Sequence, residues 1–413
     1  MQQTERLNQQ FDIVIAGGGL VGASLAAALA GLPLKVAVVE AVPFGARGQP
    51  SYDERVTAVS YGSRCIFDTI GLWSGIAPGA HAIQHIHISD RGRCGATRFH
   101  ADEAGVEALG YVVPNRVIGQ ALSGFLPQQS NIELIAPAKL VDFEEQNDRV
   151  QITMETKDGN RVLNARLLVA ADGAHSRIRE RLGIEGRSWD YGQSAIICNV
   201  SVERPQDGVA YERFTDAGPL ALLPMGGDRY ALIWSVPQAQ VESTLAMEDD
   251  TFLPALAAQF NGRFGRFLKA GKRQAYPLSL VRAASQLQGR CLIAGNAAHS
   301  LHPIAGQGFN LSVRDVAVLA ETLADIAGKG GDVGSDARLA RYVSTRRADQ
   351  TGTILFTDFL TRVFVNPLLP VRLLRNAALL GLELCPPVRQ ALMRHNMGMS
   401  GRQPRLARGV PLT

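Results

Sequence analysis

The first forty residues combine two short apolar runs with a glycine-rich loop. The run 11–16 (FDIVIA) and the run 35–39 (KVAVV) are rich in β-branched residues, as buried strands are. Between them, the loop 17–22 (GGGLVG) leads into an alanine- and leucine-rich stretch that is typical of a helix. This order predicts a βαβ unit, from which doubly wound parallel sheets are built.

A different pattern begins near residue 150, where apolar and polar positions alternate. With the turn-forming sequence KDGN, this alternation predicts a hairpin or meander at 135–165. Short alternating segments continue over 186–280 and predict a mainly antiparallel sheet. The apolar run 290–295 then has the character of another buried strand. Apolar positions spaced three and four apart predict a helix over 310–327.

These patterns predict an α/β protein with one discontinuous domain. We expect a Rossmann-like dinucleotide-binding domain built from 1–185 and 281–335, with a substrate-binding β-sheet domain inserted at 186–280. The remaining segment, 336–413, is predicted to form a C-terminal helical region. Prolines break that region at four positions: Pro367, Pro370, Pro386 and Pro387.

The composition supports a globular protein. Of the 413 residues, 46% are hydrophobic and 19% charged, and the formal net charge is only +4. This balance argues against disorder and against nucleic-acid binding. The five scattered cysteines form no CxxC pair, which favours reduced thiols over disulfides or zinc. We expect no targeting segment and no membrane span, and hence a cytoplasmic protein that at most lies on a membrane surface.

The glycine loop is a candidate phosphate site. Gly17, Gly19 and Gly22 have the GxGxxG spacing that lets a backbone approach a pyrophosphate at a helix N-terminus. Glu40 ends the second strand, where a carboxylate accepts ribose hydroxyls. The alternative is a tight structural turn. The unit by itself predicts a dinucleotide without deciding between FAD and NAD.

Three further segments carry a family resemblance. The segments 172–179 (DGAHSRIR) and 295–311 (GNAAHSLHPIAGQGFNL) resemble the DG and GD motifs of the flavoprotein aromatic hydroxylases, and 53–55 (DER) resembles that family's early arginine segment. With the glycine loop, four motifs follow the family's order across nearly the whole chain. The ubiquinone-biosynthesis branch is most similar, and within it the 2-polyprenyl-6-methoxyphenol hydroxylases.

The resemblance implies a fold, a cofactor and a reaction. It implies a Rossmann-like FAD-binding domain of the para-hydroxybenzoate hydroxylase fold, with NADPH or NADH as the reductant and no separate nicotinamide domain. The expected reaction transfers one oxygen atom from O₂ to the phenolic ring of a polyprenylated ubiquinone precursor. Because the flavin would supply this chemistry, the resemblance predicts no catalytic side chain and no metal.

The resemblance also assigns residues. Pro303, Gly306 and Gln307 would position the ring, and Asp172 would also serve NAD(P)H use, with Arg177 or Arg179 pairing with it or with phosphate. Arg116 has only a looser match, at 116–122. The predicted cofactor-binding residues are Gly17, Gly19, Gly22, Glu40, Arg55, Arg116, Asp172, Asn296, Gly306, Gly308, Phe309 and Asn310.

Asn296 departs from the family pattern, which has an aspartate there. Asn keeps an acceptor oxygen but loses the charge, so we expect FAD binding to survive with a weaker bond to the ribityl chain. In the loop that follows, Gly306 and Gly308 remove Cβ atoms where a flat ring must meet backbone. A helix beginning near Asn310 would point its positive end at the flavin. The alternative is a glycine-rich connector.

Other residues have simpler interpretations. His299 and His302 have a metal-like spacing but no third ligand nearby, and Ser176 beside His175 lacks a nucleophile-elbow motif. The sheet tyrosines are interpreted as packing groups: Tyr191, Tyr211 and Tyr230.

The C-terminal region combines leucine- and valine-rich patches with basic residues. Only Glu383 balances five arginines: Arg362, Arg372, Arg375, Arg389 and Arg394. Such a segment is typical of a membrane-surface or partner-binding element, and the alternative is a helix that packs over the FAD domain. Possible partners are other ubiquinone-biosynthesis enzymes or a second copy of the chain.

Two other functions remain open. One is a same-fold monooxygenase that acts on a soluble aromatic acid or an alkene. The other is a flavin-binding scaffold that serves a biosynthetic complex without turnover.

Overall fold

The computed structural model describes residues 9–45, 49, 51, 53–334, 337–366 and 368–413. Within these residues the strands form two large sheets and one small sheet. The strands are β1 (Gln9–Ala16), β2 (Val36–Val39), β3 (Val56–Ser60), β4 (His81–Ile83), β5 (His85–Asp90), β6 (Ala96–His100), β7 (Gly110–Pro114), β8 (Ile132–Ile135), β9 (Ala138–Glu145), β10 (Val150–Thr156), β11 (Gly159–Ala170), β12 (Gly186–Val202), β13 (Val209–Thr215), β14 (Gly218–Pro224), β15 (Arg229–Pro237), β16 (Phe267–Ala270), β17 (Gln274–Ala283), β18 (Leu287–Gln288), β19 (Cys291–Ile293) and β20 (His299–Ser300).

The helices pack on the faces and ends of these sheets. The α-helices are α1 (Leu20–Ala28), α2 (Tyr61–Thr69), α3 (Trp73–Ile76), α4 (Asn115–Phe125), α5 (Arg177–Arg181), α6 (Val241–Leu245), α7 (Asp249–Ala257), α8 (Gln307–Ala327), α9 (Ala337–Val365), α10 (Leu369–Leu384) and α11 (Pro386–Asn396).

The first sheet contains the predicted βαβ unit. Its order is β18-β19-β11-β1-β2-β8, and β19, β11, β1, β2 and β8 run parallel. One face packs on α1 and α8 through buried residues such as Ile13, Leu25 and Leu319. The β9-β10-β11 meander is antiparallel, as predicted for 135–165. The strands near both ends of the chain therefore share one sheet.

The second sheet is mainly antiparallel, as predicted for 186–280. Its order is β20-β17-β12-β15-β14-β13-β5-β6, with β16 paired to β12. It also includes β5 and β6, which lie inside the segment 1–185 that we expected to belong to the FAD-binding domain. β5 joins β13 in parallel, from His85 opposite Val209 to Asp90 opposite Phe214. The division at residue 185 therefore does not separate the two sheets.

The C-terminal region is helical and divides at prolines. Pro370 lies in the first turn of α10, and Pro386 and Pro387 begin α11; Pro367 lies outside the described residues. Leu379 of α10 packs with Phe214 of the second sheet, whereas Leu339 and Tyr342 of α9 pack in the core beside the FAD-binding sheet. The region therefore covers parts of both sheets. Among the described residues, no helix combines the length and the apolar character needed to cross a membrane.

Candidate active site

The loop between β1 and α1 is closely packed, and its glycines are required there. Gly17 has φ +106°, and a Cβ atom on it would overlap the carbonyl oxygen of Ala171. A Cβ atom on Gly22 would overlap the carbonyl oxygen of Gly17. Gly19 is the N-cap residue of α1, and no side chain accepts a capping hydrogen bond there. The first N–H groups of the helix therefore face this loop.

Glu40 is fixed beside the loop. The N–H of Gly18 donates to Oε2 of Glu40 at 2.6 Å, and the N–H of Val42 donates to Oε1 at 3.0 Å. A carboxylate has about four acceptor positions, so two backbone bonds orient it without saturating it. This is the arrangement expected of a ribose acceptor at the end of β2.

The segment after β11 lies against the glycine loop. Asp172 is exposed, and its Oδ2 accepts the N–H of Ile178 at 3.4 Å. Ser176 is buried and caps α5 by accepting the N–H of Arg179 at 3.0 Å. Its hydroxyl therefore has a structural role, which agrees with the absence of a nucleophile-elbow motif.

One cavity of about 510 Å³ lies between the loops and the second sheet. Its residues come from the FAD-binding side, from β5 and β13 to β15 of the second sheet, and from α11. Eight of the predicted residues line it: Arg55, Asn296, Pro303, Gly306, Gln307, Gly308, Phe309 and Asn310. The structure thus brings together residues separated by about 250 positions in the chain.

The loop before α8 has an unusual backbone. Ala305 and Gly306 both adopt left-handed conformations, with φ of +54° and +60°. The helix begins at Gln307, three residues earlier than the predicted start at Asn310, because Gly306 serves as its N-cap. A Cβ atom on Gly306 would lie 3.0 Å from Cβ of Ala58, so glycine also permits this close approach.

Asn310 holds this loop to β3. Its Nδ2 donates to the carbonyl oxygens of Ala58 and Gly306, both at 2.7 Å, and its Oδ1 accepts the N–H of Ser60 at 2.8 Å. The amide is therefore used in shaping the cavity wall. Gln307 is also buried, and its Nε2 donates to the carbonyl oxygens of Ala305 and Asn396 at 3.2 and 3.3 Å.

The two predicted arginines have different surroundings. Arg55 lines the cavity, with Nε 2.5 Å from Oδ2 of Asp53 and its guanidinium 4.8 Å from the ring centre of Tyr276. Arg116 is exposed and pairs with Glu54 at 2.8 Å. Arg116 is not among the described residues that line the cavity, and Asp172 lies just outside it, between Ala171 and Gly173, which do line it.

The two histidines of the 295–311 segment lie in separate environments. Nε2 of His299 lies 2.7 Å from Oδ2 of Asp315, which also accepts from Gln350 at 2.9 Å. Burial alone would raise the pKa of Asp315, but Arg346 and the bond from His299 outweigh this effect and bring it to about 2. His299 therefore anchors the loop to α8 and α9.

His302 lines the cavity and is almost fully buried. Its Nδ1 accepts the N–H of Ile304 at 3.2 Å, and its ring lies edge-on to Tyr191, with ring centres 5.3 Å apart. Burial lowers the pKa of His302 to about 4, so the imidazole is neutral at physiological pH. Its Nε2 is buried with no hydrogen-bond partner among the described residues.

Sequence reasoning missed Glu212, which projects from β13 into the cavity. Its Oε1 accepts the N–H of Ala305 at 3.2 Å. Burial raises the pKa of Glu212 to about 7, although the bond from Ala305 acts in the opposite direction. A signal was present, because Ala210, Glu212 and Phe214 share one face of the strand and the acid is the exception on an otherwise apolar face.

The residues present fit FAD. The glycine loop leaves no room for side chains where the backbone would meet a pyrophosphate, and Glu40 is oriented at the end of β2 for the adenosine half. Asn296 is exposed on the cavity side, and the left-handed turn at Gly306 with the N-terminus of α8 would receive the flavin ring. These assignments to individual residues stay predictions.

A Rossmann-like sheet, an inserted antiparallel sheet and a shared cavity define the class of flavin-dependent aromatic hydroxylases. A family model described as an FAD binding domain matches residues 10–356, and the chain belongs to that family. The protein is an FAD-dependent monooxygenase, and NAD(P)H is the reductant typical of the family. The predicted fold class, cofactor and enzyme class are therefore confirmed.

Several known proteins are similar over nearly their whole length. The chain is 38% identical over 405 residues to ubiquinone hydroxylase UbiL of Rhodospirillum rubrum, covering 97% of this chain and 93% of that protein. It is 31% identical over 398 residues to 3-demethoxyubiquinol 3-hydroxylase of Escherichia coli, covering 95% of this chain and 100% of that protein. The solved structure of p-nitrophenol 4-monooxygenase PnpA from Pseudomonas putida has a TM-score of 0.80 at 19% identity, covering 96% of this chain and 100% of that chain, and supports the fold. The resemblance to the ubiquinone-biosynthesis branch is confirmed, while the finer likeness to 2-polyprenyl-6-methoxyphenol hydroxylases stays a prediction.

Proposed function

We propose that the protein hydroxylates the phenolic ring of a polyprenylated intermediate of ubiquinone biosynthesis, using FAD, NAD(P)H and O₂. The observation that carries this proposal is the cavity of about 510 Å³, in which the predicted flavin-binding loop faces an apolar wall formed by the second sheet and the residues packed beside it. The relatives named as ubiquinone hydroxylases support the pathway. When bound, reduced FAD supplies the activated oxygen atom, and the chain orients the ring and excludes water.

The apolar wall favours a hydrocarbon-bearing substrate over an aromatic acid. The wall is formed largely by aliphatic and aromatic side chains: Ile83, Ile86, Ile88, Phe99, Leu109, Leu223, Ile233, Met393 and Met397. Among the described lining residues, Arg55 is the only Lys or Arg, and it pairs with Asp53. A soluble aromatic acid would need an unengaged cation at its carboxylate, whereas a prenylated phenol needs apolar surface.

The outer face of the C-terminal helices supports the proposal that the protein acts while bound to a membrane surface. We define the C-terminal apolar surface as the exposed residues Leu355, Phe359, Leu368, Leu369, Leu373, Leu374, Leu380, Leu384 and Val388. Met393 of the adjoining helix α11 lines the cavity, so this surface and the cavity belong to neighbouring elements. A polyprenyl tail held in a bilayer could reach the cavity past these helices.

Two of the five arginines expected at this surface are used inside the protein. Arg375 is buried and pairs with Asp90 at 2.8 Å, and Arg389 pairs with Glu103 at 2.8 Å. Arg362 pairs with Asp358 at 2.8 Å but is half exposed, and Arg394 is exposed. Membrane contact would therefore depend more on the leucines than the sequence indicated. We propose a peripheral protein at the cytoplasmic face of a membrane, where docking to pathway enzymes or a second copy is the competing use of the surface.

The experiment uses purified, flavin-loaded protein. NAD(P)H oxidation is followed with and without a short-chain prenylated methoxyphenol, and the product is analysed by mass spectrometry for one added oxygen atom from ¹⁸O₂. Hydroxylation of the prenylated phenol in preference to 4-hydroxybenzoate is the expected result. Turnover of the acid alone would indicate a different substrate class, and flavin that neither reductant reduces would indicate a non-catalytic scaffold.

A further inference from the structure

A single acid lies in the apolar half of the cavity. Among the described residues that line it, Glu212 is the only carboxylate, and the other ionisable lining residues are Arg55, Tyr211 and His302. Arg55 is engaged by Asp53, and His302 is neutral. Tyr211 precedes Glu212 on β13, so its side chain points to the opposite face and contacts Phe264 there. No opposite charge therefore explains why an acid is placed at this position.

Glu212 connects the second sheet to the loop that faces the flavin position. Its Oε1 accepts the N–H of Ala305 at 3.2 Å, and this is the only hydrogen bond to its side chain among the described residues. Ala305 lies between Pro303 and Gly306, two residues predicted to position the ring. The remaining acceptor capacity of the carboxylate is thus available at the place where the ring must lie.

We propose that Glu212 binds the hydroxyl group of the phenolic substrate and accepts its proton, while Oε1 stays bonded to Ala305. This inference rests on the function proposed above and adds a catalytic residue to it. The phenol O–H bond breaks, its electron pair stays on the phenol oxygen, and the proton forms a new O–H bond on the carboxylate. No oxidant or reductant is needed for this step. The resulting phenolate donates electron density to the ring carbons that react with an electrophilic oxygen.

The environment of Glu212 suits this role. Burial raises its pKa to about 7, which makes the ionised form a stronger base than an exposed glutamate. A general base works best when its pKa lies near the working pH. The apolar surroundings also leave the hydroxyl group of the substrate with few competing hydrogen-bond partners.

A structural role is the competing explanation, because Glu212 also holds Ala305 in its left-handed conformation. Glutamine has the same length and an acceptor oxygen for the N–H of Ala305, but it cannot take up a proton. Glu212→Gln therefore separates the two roles. Glu212→Asp keeps a carboxylate on a shorter side chain, and Glu144→Gln, at an exposed position of β9, is the matched control.

The first measurement is turnover of a short-chain prenylated methoxyphenol against pH. We expect wild-type kcat to rise through a pH near 7. We expect Glu212→Gln to lower kcat by roughly 10²-fold or more, with a small change in KM and no such rise. Glu212→Asp should recover part of the rate together with the pH-dependent rise. Equal pH profiles in the wild type and Glu212→Gln would overturn the proposal.

The second measurement does not require turnover. The ionisation of the bound phenol is followed by difference absorbance on the oxidised, FAD-containing protein. Because the ionised carboxylate of Glu212 repels the negative charge of a phenolate, the bound phenol should ionise at a pH at least one unit higher in the wild type and Glu144→Gln than in Glu212→Gln. Identical ionisation in all three proteins, or loss of FAD from Glu212→Gln and Glu212→Asp alike, would assign Glu212 a structural role only. A wild-type protein that hydroxylates no prenylated phenol would instead contradict the function proposed above.

Discussion

Arg179 joins two motifs that lie 118 positions apart in the chain: its Nη1 donates to the carbonyl oxygen of Ala297 at 2.9 Å. Its Nη2 donates to the carbonyl oxygen of Ala174 at 3.0 Å. The guanidinium therefore fastens the segment after β11 to the segment after β19. The two described bonds of Arg179 thus go to backbone carbonyls, and Asp172 is exposed beside the cavity. The expectation that Arg177 or Arg179 pairs with Asp172 or with phosphate stays a prediction.

The position of Asp172 predicts an effect on reduction. Because Asp172 is exposed and adjoins Gly173 at the cavity, Asp172→Ala should slow flavin reduction by NAD(P)H by at least about tenfold, a barrier increase of about 1.4 kcal/mol. Binding of the aromatic substrate should change less. Stopped-flow absorbance measures the reduction rate directly. Glu180→Ala, an exposed acid on α5, is the control, and reduction of Asp172→Ala at the wild-type rate would contradict the assignment.

The contact between Gly17 and Ala171 predicts loss of cofactor. Gly17→Val requires a branched side chain at φ +106°, in space already filled by the Ala171 carbonyl. The variant should purify without the yellow colour of FAD. Gly124→Ala is the control, because a Cβ atom on Gly124 would meet no neighbouring atom. Normal FAD occupancy in Gly17→Val, measured by absorbance after denaturation, would show that this loop does not hold the pyrophosphate.

A change at Asn296 is expected to preserve or strengthen FAD binding, in contrast to Gly17→Val. Asn296→Asp restores a charged acceptor beside the cavity, and a charged hydrogen bond is stronger than a neutral one by about 1 kcal/mol. FAD should bind as tightly as in the wild type or up to roughly fivefold more tightly. Isothermal titration of deflavinated protein gives the dissociation constant. A large loss of affinity in a folded variant would mean that the amide of Asn296 acts as a donor.

Local patterns predicted the parts of the fold whose partners lie close in sequence. Strands β1 and β2 and helix α1 form one βαβ unit within forty residues, and the local pattern of apolar residues and glycines was sufficient to predict it. The pairing of β5 with β13 is different, because its partners lie more than a hundred residues apart. Nothing in the apolar alternation of β5 indicates which sheet it joins, so its place in the second sheet could be found only from the structure.

The same limit applies to single charged residues. Arg375 resembles a surface cation in the sequence, yet it is buried against Asp90 from a distant part of the chain. Glu212 and Arg213 are adjacent in β13 and lie on opposite faces of the strand, so two successive charged residues do not indicate in the sequence which face is buried. Motif residues were predictable because their chemistry requires a fixed local spacing. Residues that reach the site across the cavity carry no such motif spacing, and the signal for Glu212 is the weaker one that an acid interrupts the apolar face of β13.

His302 predicts part of the acid sensitivity of the protein. The folded protein holds this imidazole neutral down to a pKa of about 4, whereas an unfolded histidine takes up a proton near pH 6.5. The contribution of neutral His302 to the free energy of unfolding is therefore fully present above pH 6.5. It is lost as the pH falls through about 4, and the total loss is about 3 kcal/mol. The decrease in Tm between pH 7 and pH 5 should therefore be smaller for His302→Asn than for the wild type. His175→Asn, at an exposed position, should follow the wild type, and equal slopes for all three would contradict the prediction.

The C-terminal apolar surface predicts membrane binding that depends on leucines. Leu373 and Leu374 of α10 are 60% and 70% exposed, so the double change to glutamate should leave the fold and bound FAD intact. Removing the whole region after Gly352 is a less selective test, because it would also remove the buried pair of Arg375 with Asp90. Lost insertion of two leucines into the acyl boundary should abolish sedimentation with anionic vesicles.

Charge should contribute less to this binding. Each exposed arginine near an anionic surface is worth about 1 kcal/mol and is screened by salt over about 8–10 Å. Wild-type protein should therefore sediment with phosphatidylglycerol vesicles at low salt and retain part of that binding at high salt. Leu268→Glu, at a half-exposed leucine of β16, is the matched control and should bind like the wild type. Wild-type protein that fails to sediment at low salt, yet loses self-association or pathway-enzyme binding in the double variant, would assign the surface to protein partners instead.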